Sequence, residues 1–485
     1  MPLLLALFLL VSAPDSLGVL ERSAQRERSL APRPEKTASS ALLSPFAAYS
    51  SVEAGVDGTS QKAPLFPEEG DHRLEGTLRI SLLSRKDSTS AVGGKVLYSN
   101  GIKRNVLWNS TSDYFLVYPY AVADSVGGDC RREQYFFSGS YAFRKGAWHY
   151  GFAGSYRALH EWREADPRPR NIVSDLTLGL STGFRLSSGA VLDAGVKYRR
   201  YSQSSQISFY NTRGANSSVF HLTGLGSHYA RFAGSNSMAT TTRYGGSGIG
   251  ASLSFLGAKG WFGFFSYEMT DIVHYLPSQN ETPYQEVVVR EARLSGGYAT
   301  QKWKVQAHVN GGFRSGLEYV LDNGNRGLVQ TLMRFAMFSR LSFDAGAQGT
   351  YIAGPFLFTG GLAAEGFHAQ HNYPGRVLSS AGLDSSLGAS WLQGFGSWLL
   401  GVSARAEGYV PFGAQLIIPE QFTMPALTEY YTLRKERLER FRLGAGLSVK
   451  AQRRLLRSLS VYAGADCLVT NIQDNTYKLF IGLNF

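Results

Sequence analysis

The chain closes on Thr476-Tyr477-Lys478-Leu479-Phe480-Ile481-Gly482-Leu483-Asn484-Phe485. Tyr477, Leu479, Ile481, Leu483 and Phe485 share one parity; Thr476, Lys478, Gly482 and Asn484 share the other, interrupted by Phe480. Successive side chains of a strand point to opposite faces, so the segment reads as a strand with one wholly apolar face. At the edge of a soluble sheet such a face would invite pairing with other chains. A sheet closed on itself removes that edge.

The same period returns upstream. Trp303, Val305, Ala307, Val309 and Phe313 oppose Lys304, Gln306, His308, Asn310 and Arg314. Trp398, Leu400, Val402, Ala404, Ala406 and Val410 oppose Ser397, Ser403, Arg405 and Glu407. Phe441, Leu443, Ala445, Leu447 and Val449 oppose Arg442, Ser448 and Lys450, and Met333, Phe335, Leu341 and Phe343 oppose Arg334, Arg340 and Asp344. Leu176, Leu178, Leu180 and Phe184 oppose Asp175, Thr177, Ser181 and Arg185. A charge on the lipid face of a membrane strand costs about 2–4 kcal/mol near the midplane, and here the charges keep to one parity.

Composition agrees. Charged residues make up 18%, against about 25% in an average soluble domain. Mean hydropathy is −0.14, too polar for a bundle of membrane helices. The 54 Gly, 26 Tyr and 29 Phe suit a wall with one greasy and one wet side. Open sheet edges cannot be satisfied in lipid, so the sheet must close into a barrel. The fold expected is an all-β transmembrane antiparallel barrel of about 18 strands, within a range of roughly 16–20. A chain ending in such a strand and a terminal Phe resembles the assembly signal of bacterial outer-membrane barrels.

The connections give a second test, because bacterial barrels alternate short periplasmic turns with long external loops. Short junctions fall at Arg144–Gly146, Ser187–Gly189, Gly257–Gly260, Thr300–Lys302, Ala353–Pro355, Gln393–Ser397 and Gln452–Arg457. The interleaved ones read as long: Asn109–Glu133, Arg157–Asn171, Ser202–Gly245, His368–Ala381 and Pro411–Arg437, with Asn471–Asn475 a short exception. Within Ser202–Gly245, Ile207–Tyr210 and Val219–Leu222 fit either a loop hairpin or extra wall strands.

Leu3–Val11 followed by Ser12 and Ala13 matches a secretory signal core, too short to span a bilayer. The division expected is a signal peptide over 1–19, a periplasmic lead-in without fixed structure over 20–43, and the barrel over 44–485. Net charge is +12, but the basic residues are dispersed and no nucleic-acid signature occurs. Cys130 and Cys467 lie far apart and form no CxxC; they read as two unpaired thiols, with a disulfide between them the alternative in an exported protein.

Several stretches carry a family likeness. Trp108-Asn109-Ser110-Thr111-Ser112-Asp113-Tyr114 leads into Tyr118-Pro119-Tyr120-Ala121-Val122-Ala123-Asp124-Ser125-Val126-Gly127-Gly128. Ser155-Tyr156-Arg157-Ala158, Asp166-Pro167-Arg168-Pro169-Arg170-Asn171 and His221-Leu222-Thr223-Gly224-Leu225-Gly226 follow. Together they resemble an uncharacterised outer-membrane barrel family, a domain of unknown function common in Bacteroidota. The resemblance covers nearly the whole mature chain and implies barrel, compartment and exported surface, but no activity and no catalytic residue.

Asp113, Tyr114, Tyr118, Tyr120 and Asp124 are candidates for a binding platform, since aromatic rings with carboxylates suit sugars or cationic groups. The alternative is a loop packed on its neighbours or folded into the lumen as a constriction. Arg163, Arg168 and Arg170 beside Asp166 have the chemistry to grip an anion, or to form a structural ion-pair network. Lys95, Arg185, Lys197, Arg199, Arg293, Lys304, Arg314, Arg334, Arg340, Arg405, Arg442, Lys450 and Lys478 fall on the inward parity, against fewer acids: Asp175, Asp193, Glu291, Asp344, Glu365, Glu407 and Asp466. Rings of Arg or Lys favour anions in pores; cross-strand salt bridges are the structural alternative. His149, His274 and His308 lie on separate strands without a partner motif, and His368 and His371 are too loosely spaced for a metal site.

The function expected is a porin-like outer-membrane channel or transport component for small polar or anionic solutes. Both termini would be periplasmic and the long loops extracellular. Its partners would be outer-membrane lipid and the barrel-assembly machinery, with no cofactor, metal, nucleic acid or catalysis. With only about 43 residues ahead of the first strand, no separate plug domain is expected. A surface-binding or adhesive scaffold is the alternative, and an outer-membrane hydrolase a third reading.

Overall fold

The computed structural model describes residues 18–32, 37–44, 46, 48–85, 89–210, 218–229, 240–322, 330–419 and 425–485. The expected signal core, 3–11, lies outside the described residues.

Eighteen antiparallel strands form one closed barrel. The first, Ala48–Gln61, pairs with its sequence neighbour His72–Arg85 and, across the seam, with the last, Asp474–Asn484. That seam runs from Ser51 opposite Asn484 to Gln61 opposite Asp474, and the Phe485 amide donates to the Ser50 carbonyl at 3.0 Å. The terminal strand behaves as its parity predicts. Tyr477, Leu479, Ile481 and Leu483 are exposed on the outer wall. Phe480, the residue that broke the pattern, turns inward, where the Lys478 ammonium sits 4.7 Å from its ring centroid. The outward sets elsewhere are likewise exposed, among them Leu178, Leu180, Val305, Val309, Leu341, Phe343, Leu443 and Leu447. Among the described residues no helix is long and apolar enough to cross a membrane; the apolar surface belongs to strands.

All seven short junctions are tight turns at one end of the barrel, here the turn end. At the opposite, loop end two expectations need correction. Strands Trp148–Trp162 and Arg168–Arg185 leave only 163–167 between them, and Phe356–His371 and Arg376–Phe395 only 372–375. The reason is continued pairing: His160 opposes Ile172 and His371 opposes Arg376. The ladder therefore continues into segments that read as loop from the sequence. Val219–Gly224 is not a wall strand. It pairs with Val122–Asp124 and with Ser227–His228 in a separate three-stranded sheet.

The lead-in is also ordered over most of its length, against expectation. Val19–Arg28 is a helix whose Val19 and Leu20 pack on Leu392 and Leu399 at the turn end. Ala38–Ala41 forms a short 3-10 helix. Ser39 donates its amide to Ser181 Oγ at 2.8 Å and its hydroxyl to Asp193, which also holds His149 Nε2 at 2.7 Å. Small side chains allow this approach, and so does Gly151 on the wall, where a Cβ would collide with the Ala38–Ser39 backbone.

Candidate functional site: the occupied lumen

The connection 107–127 enters the barrel at the loop end. Trp108 and Asp113 take left-handed φ values of 55° and 52°, which turn the chain back on itself before the short helix Tyr114–Val117. Tyr114, Val117, Tyr118, Tyr120 and Ala121 are buried with Leu225, and they pack on the inner wall at Leu159, Val173, Tyr201, Tyr244, Ile272 and Phe338. Tyr244 donates its hydroxyl to the Tyr120 carbonyl at 2.9 Å. On the wall beneath, Gly316 leaves the space Tyr120 needs, since a Cβ there would lie 2.5 Å from the Tyr120 hydroxyl oxygen.

A third segment completes the insert. Helix Pro425–Leu438 buries Leu427, Tyr430, Tyr431 and Arg434, the spacing of one helical face. Tyr430 and Tyr431 join the same core as Tyr114 and Tyr118. Arg434 reaches Glu68 Oε1 at 3.5 Å, and that oxygen also accepts from the Tyr114 hydroxyl at 2.5 Å. The guanidinium lies 4.4 Å from the Phe66 ring centroid. Burial, reinforced by the Glu68 carboxylate, pushes the Tyr114 phenol well above its ordinary range. Burial does the same to Tyr120, Tyr430 and Tyr431 and also raises Tyr118.

The candidate platform is thus turned inward. Asp113 accepts both Arg157 Nη atoms, at 2.9 and 2.6 Å, and the Tyr201 hydroxyl at 3.1 Å. Asp124 is fully buried, accepting the amides of Val126 and Gly127, the Ser110 hydroxyl at 2.6 Å and Arg163 Nη1 at 3.0 Å. The arginine trio does not converge. Arg163 belongs to Asp124; Arg168 pairs with Asp166 at 2.9 Å; Arg170 Nε lies 3.3 Å from His160 Nε2 at the exposed rim. His368 and His371 sit on a strand with odd separation, so they face opposite sides, and His371 goes to Glu318 at 3.1 Å. Cys130 and Cys467 are both free thiols.

Much of the basic set expected on the inward parity is paired. Lys478 meets Glu53 at 2.7 Å, Lys450 meets Glu27, and Arg405 lies 3.3 Å from both Glu407 and Asp466. Lys197 meets Glu268 at 2.6 Å, Arg199 meets Asp175 at 2.7 Å, Arg293 meets Glu291 at 2.7 Å, and Arg334 meets Glu286 at 3.4 Å. Glu27, Glu53, Glu268 and Glu286 were absent from the inward acids read from the sequence, as were Arg79 and Arg157, which meet Glu53 and Asp175, from the bases. Lys304, Arg340 and Arg442 lie over the rings of Phe262, Phe367 and Tyr409, at 5.2, 4.4 and 4.0 Å. Arg314 donates to the Phe115 carbonyl at 2.7 Å and to that of Tyr118, tying the insert to the wall. Between insert and wall remains a cavity of about 540 Å³ whose lining includes Phe115, Tyr118, Arg340, Glu365, Arg434 and Arg442.

Sequence reasoning missed helix Pro425–Leu438 and Glu68. The helix had a signal, the stripe Leu427, Tyr430, Tyr431 and Leu438 at helical spacing, with Arg434 on the same face; Glu68 had none.

The family of unknown function DUF6850 matches residues 38–485, and the chain belongs to it. No curated protein matches. Among solved structures, the chain is similar to the copper transporter OprC at 10% identity and TM-score 0.40, covering 91% of this chain and 82% of that one. It is similar to the ferric preacinetobactin receptor BauA of Acinetobacter baumannii at 9% and 0.42, covering 90% and 80%. The ferric-catecholate import receptor Fiu of E. coli K12 matches at 9% and 0.41, covering 91% and 82%.

Proposed function

We propose that this member of the DUF6850 family is a bacterial outer-membrane transport barrel for small polar, chiefly anionic, solutes, shut at rest by its own chain. The observation that carries the reading is the orientation of the insert. A display scaffold needs its aromatic loop outside, whereas Tyr114, Tyr118 and Tyr120 are turned into the lumen, beside a cavity lined with charged groups. In this reading the apolar wall meets outer-membrane lipid, the loop end is extracellular and both termini are periplasmic. The seam is closed with the barrel-assembly machinery. The protein works without cofactor and without catalysis.

Planar-bilayer recording of the purified protein tests it. Wild-type protein should show little resting conductance, and Arg434→Ala, which loosens the insert, should show an anion-preferring one. A wide, steady wild-type pore would remove the gate from this reading; silence from both proteins would remove transport.

A further inference from the structure

The cavity beside the insert holds an arginine that no acid meets. Arg314, Arg340 and Arg434 lie within electrostatic reach of one another around Tyr118. Of the three, only Arg434 has a carboxylate at ion-pair distance among the described residues, Glu68 at 3.5 Å. Arg314 is committed to two backbone carbonyls of the insert. Arg340 has no hydrogen-bond or ion-pair partner among the described residues; its guanidinium rests against Phe367, which leaves its in-plane N–H donors for something else.

Among the described residues, none of the acids on the same cavity lies at ion-pair distance from Arg340. Glu291 is held by Arg293, and Asp344 by His308 and Asn310. Glu365 feels Arg442 and two further carboxylates. Cations away from bulk water are costly unless an opposite charge meets them. A planar guanidinium backed by a ring presents its fork to a carboxylate or phosphate. Beside it Phe115 is 48% exposed although it belongs to the insert, and it lines the cavity with Tyr118. At about 540 Å³ the space is the size of a small-molecule site.

We infer that this cavity binds a small organic anion, a carboxylate or phosphate ester with a flat or ring-shaped body. Arg340, with Arg434 behind it, takes the anionic group, and Phe115 and Tyr118 take the body. The inference rests on the transport reading for its purpose and names the solute class, but binding and passage are separately measurable.

The test is calorimetry on the purified full-length protein in uncharged detergent, with benzoate, phenyl phosphate and benzylamine as probes. The first two separate carboxylate from phosphate preference, and the third carries the same ring with opposite charge. At least one anion should bind, with benzylamine weaker by about tenfold or more. Arg340→Gln should weaken the anion by about tenfold, Arg340→Lys by less, and Arg185→Gln, at the exposed turn end, not at all. Heat-modifiable migration on gels confirms that each variant is folded. Binding that ignores the sign of the probe, that persists unchanged in folded Arg340→Gln, or that is missing for both anions overturns the inference. Uptake of the same probes into proteoliposomes separates the two proposals. Arg340-dependent binding without passage keeps the site and removes transport; passage indifferent to Arg340 does the reverse.

Discussion

The two ends of the barrel are closed by different chemistry. At the loop end, large aromatics from 107–127 and Pro425–Leu438 form a continuous core with the wall, crossed by the buried Glu68–Arg434 pair. At the turn end the lead-in contributes mainly small side chains, Ala38, Ser39 and Ala41, with Val19 and Leu20, and a handful of hydrogen bonds. Full burial of a large apolar side chain is worth roughly 1.5–3 kcal/mol, so the first closure is strong and cooperative while the second is light. A strong closure opens only when something disrupts its centre.

Alkali should separate them most sharply. The five tyrosines of the loop-end core must stay neutral, and their folded-state values lie above the ordinary 10.0. Groups so raised contribute stability that is complete below pH 10 and is lost as pH climbs, by about 1.4 kcal/mol per unit for each phenol the opened state can ionise. Limited proteolysis between pH 8 and 11 should therefore show the insert becoming cleavable while the lead-in, with no buried tyrosine, stays as it was. Simultaneous release would erase the contrast.

Next in size is Arg434→Ala. It leaves Glu68 buried with only Tyr114, and breaking a buried pair costs about 3–5 kcal/mol. Protease cuts should appear within 107–127 and 425–438, with heat-modifiable migration intact. Gly316→Val comes third, at about 1–3 kcal/mol of overpacking against Tyr120. Gly349→Val, on the neighbouring strand Gln330–Ala353 with open space around it, is its control, and melting temperatures of the two should differ. Gly151→Val should act on the other end, freeing residues 19–46 to protease with little change in global melting. The least effect is expected from Lys450→Gln: its pair with Glu27 is part-exposed and worth under about 1 kcal/mol. A large loss there would mean that the turn end is not the lighter closure.

Much of the wall was legible because lipid imposes a local rule. Each strand announces its outer face residue by residue, and even the exception at Phe480 proved to be an inward ring. Hairpin lengths at the loop end were harder, because polar residues such as Glu161, Arg170 and Asn171 continue the ladder without an apolar face to mark it. The lead-in read as unstructured because its helix and its Ala-Ser turn have almost no core of their own. Their order comes from Leu392, Leu399 and Gly151, hundreds of residues or a whole barrel wall away in sequence.

The amino-acid sequence by itself determined the barrel, its closure by the terminal strand, and which side of each strand faces outward. Period two with segregated charge has one stable solution in a bilayer. Only the tertiary structure decided what fills the lumen. Tyr114, Tyr118 and Tyr120 would suit an exposed platform as well as a buried core, and no local pattern distinguishes the two. The choice was made by groups far along the chain: Gly316 gives Tyr120 room, Arg314 holds the backbone of the insert, and Glu68 with Arg434 locks its helix in place. Burial inside a closed wall depends on the whole circumference, and that is a property no single strand carries.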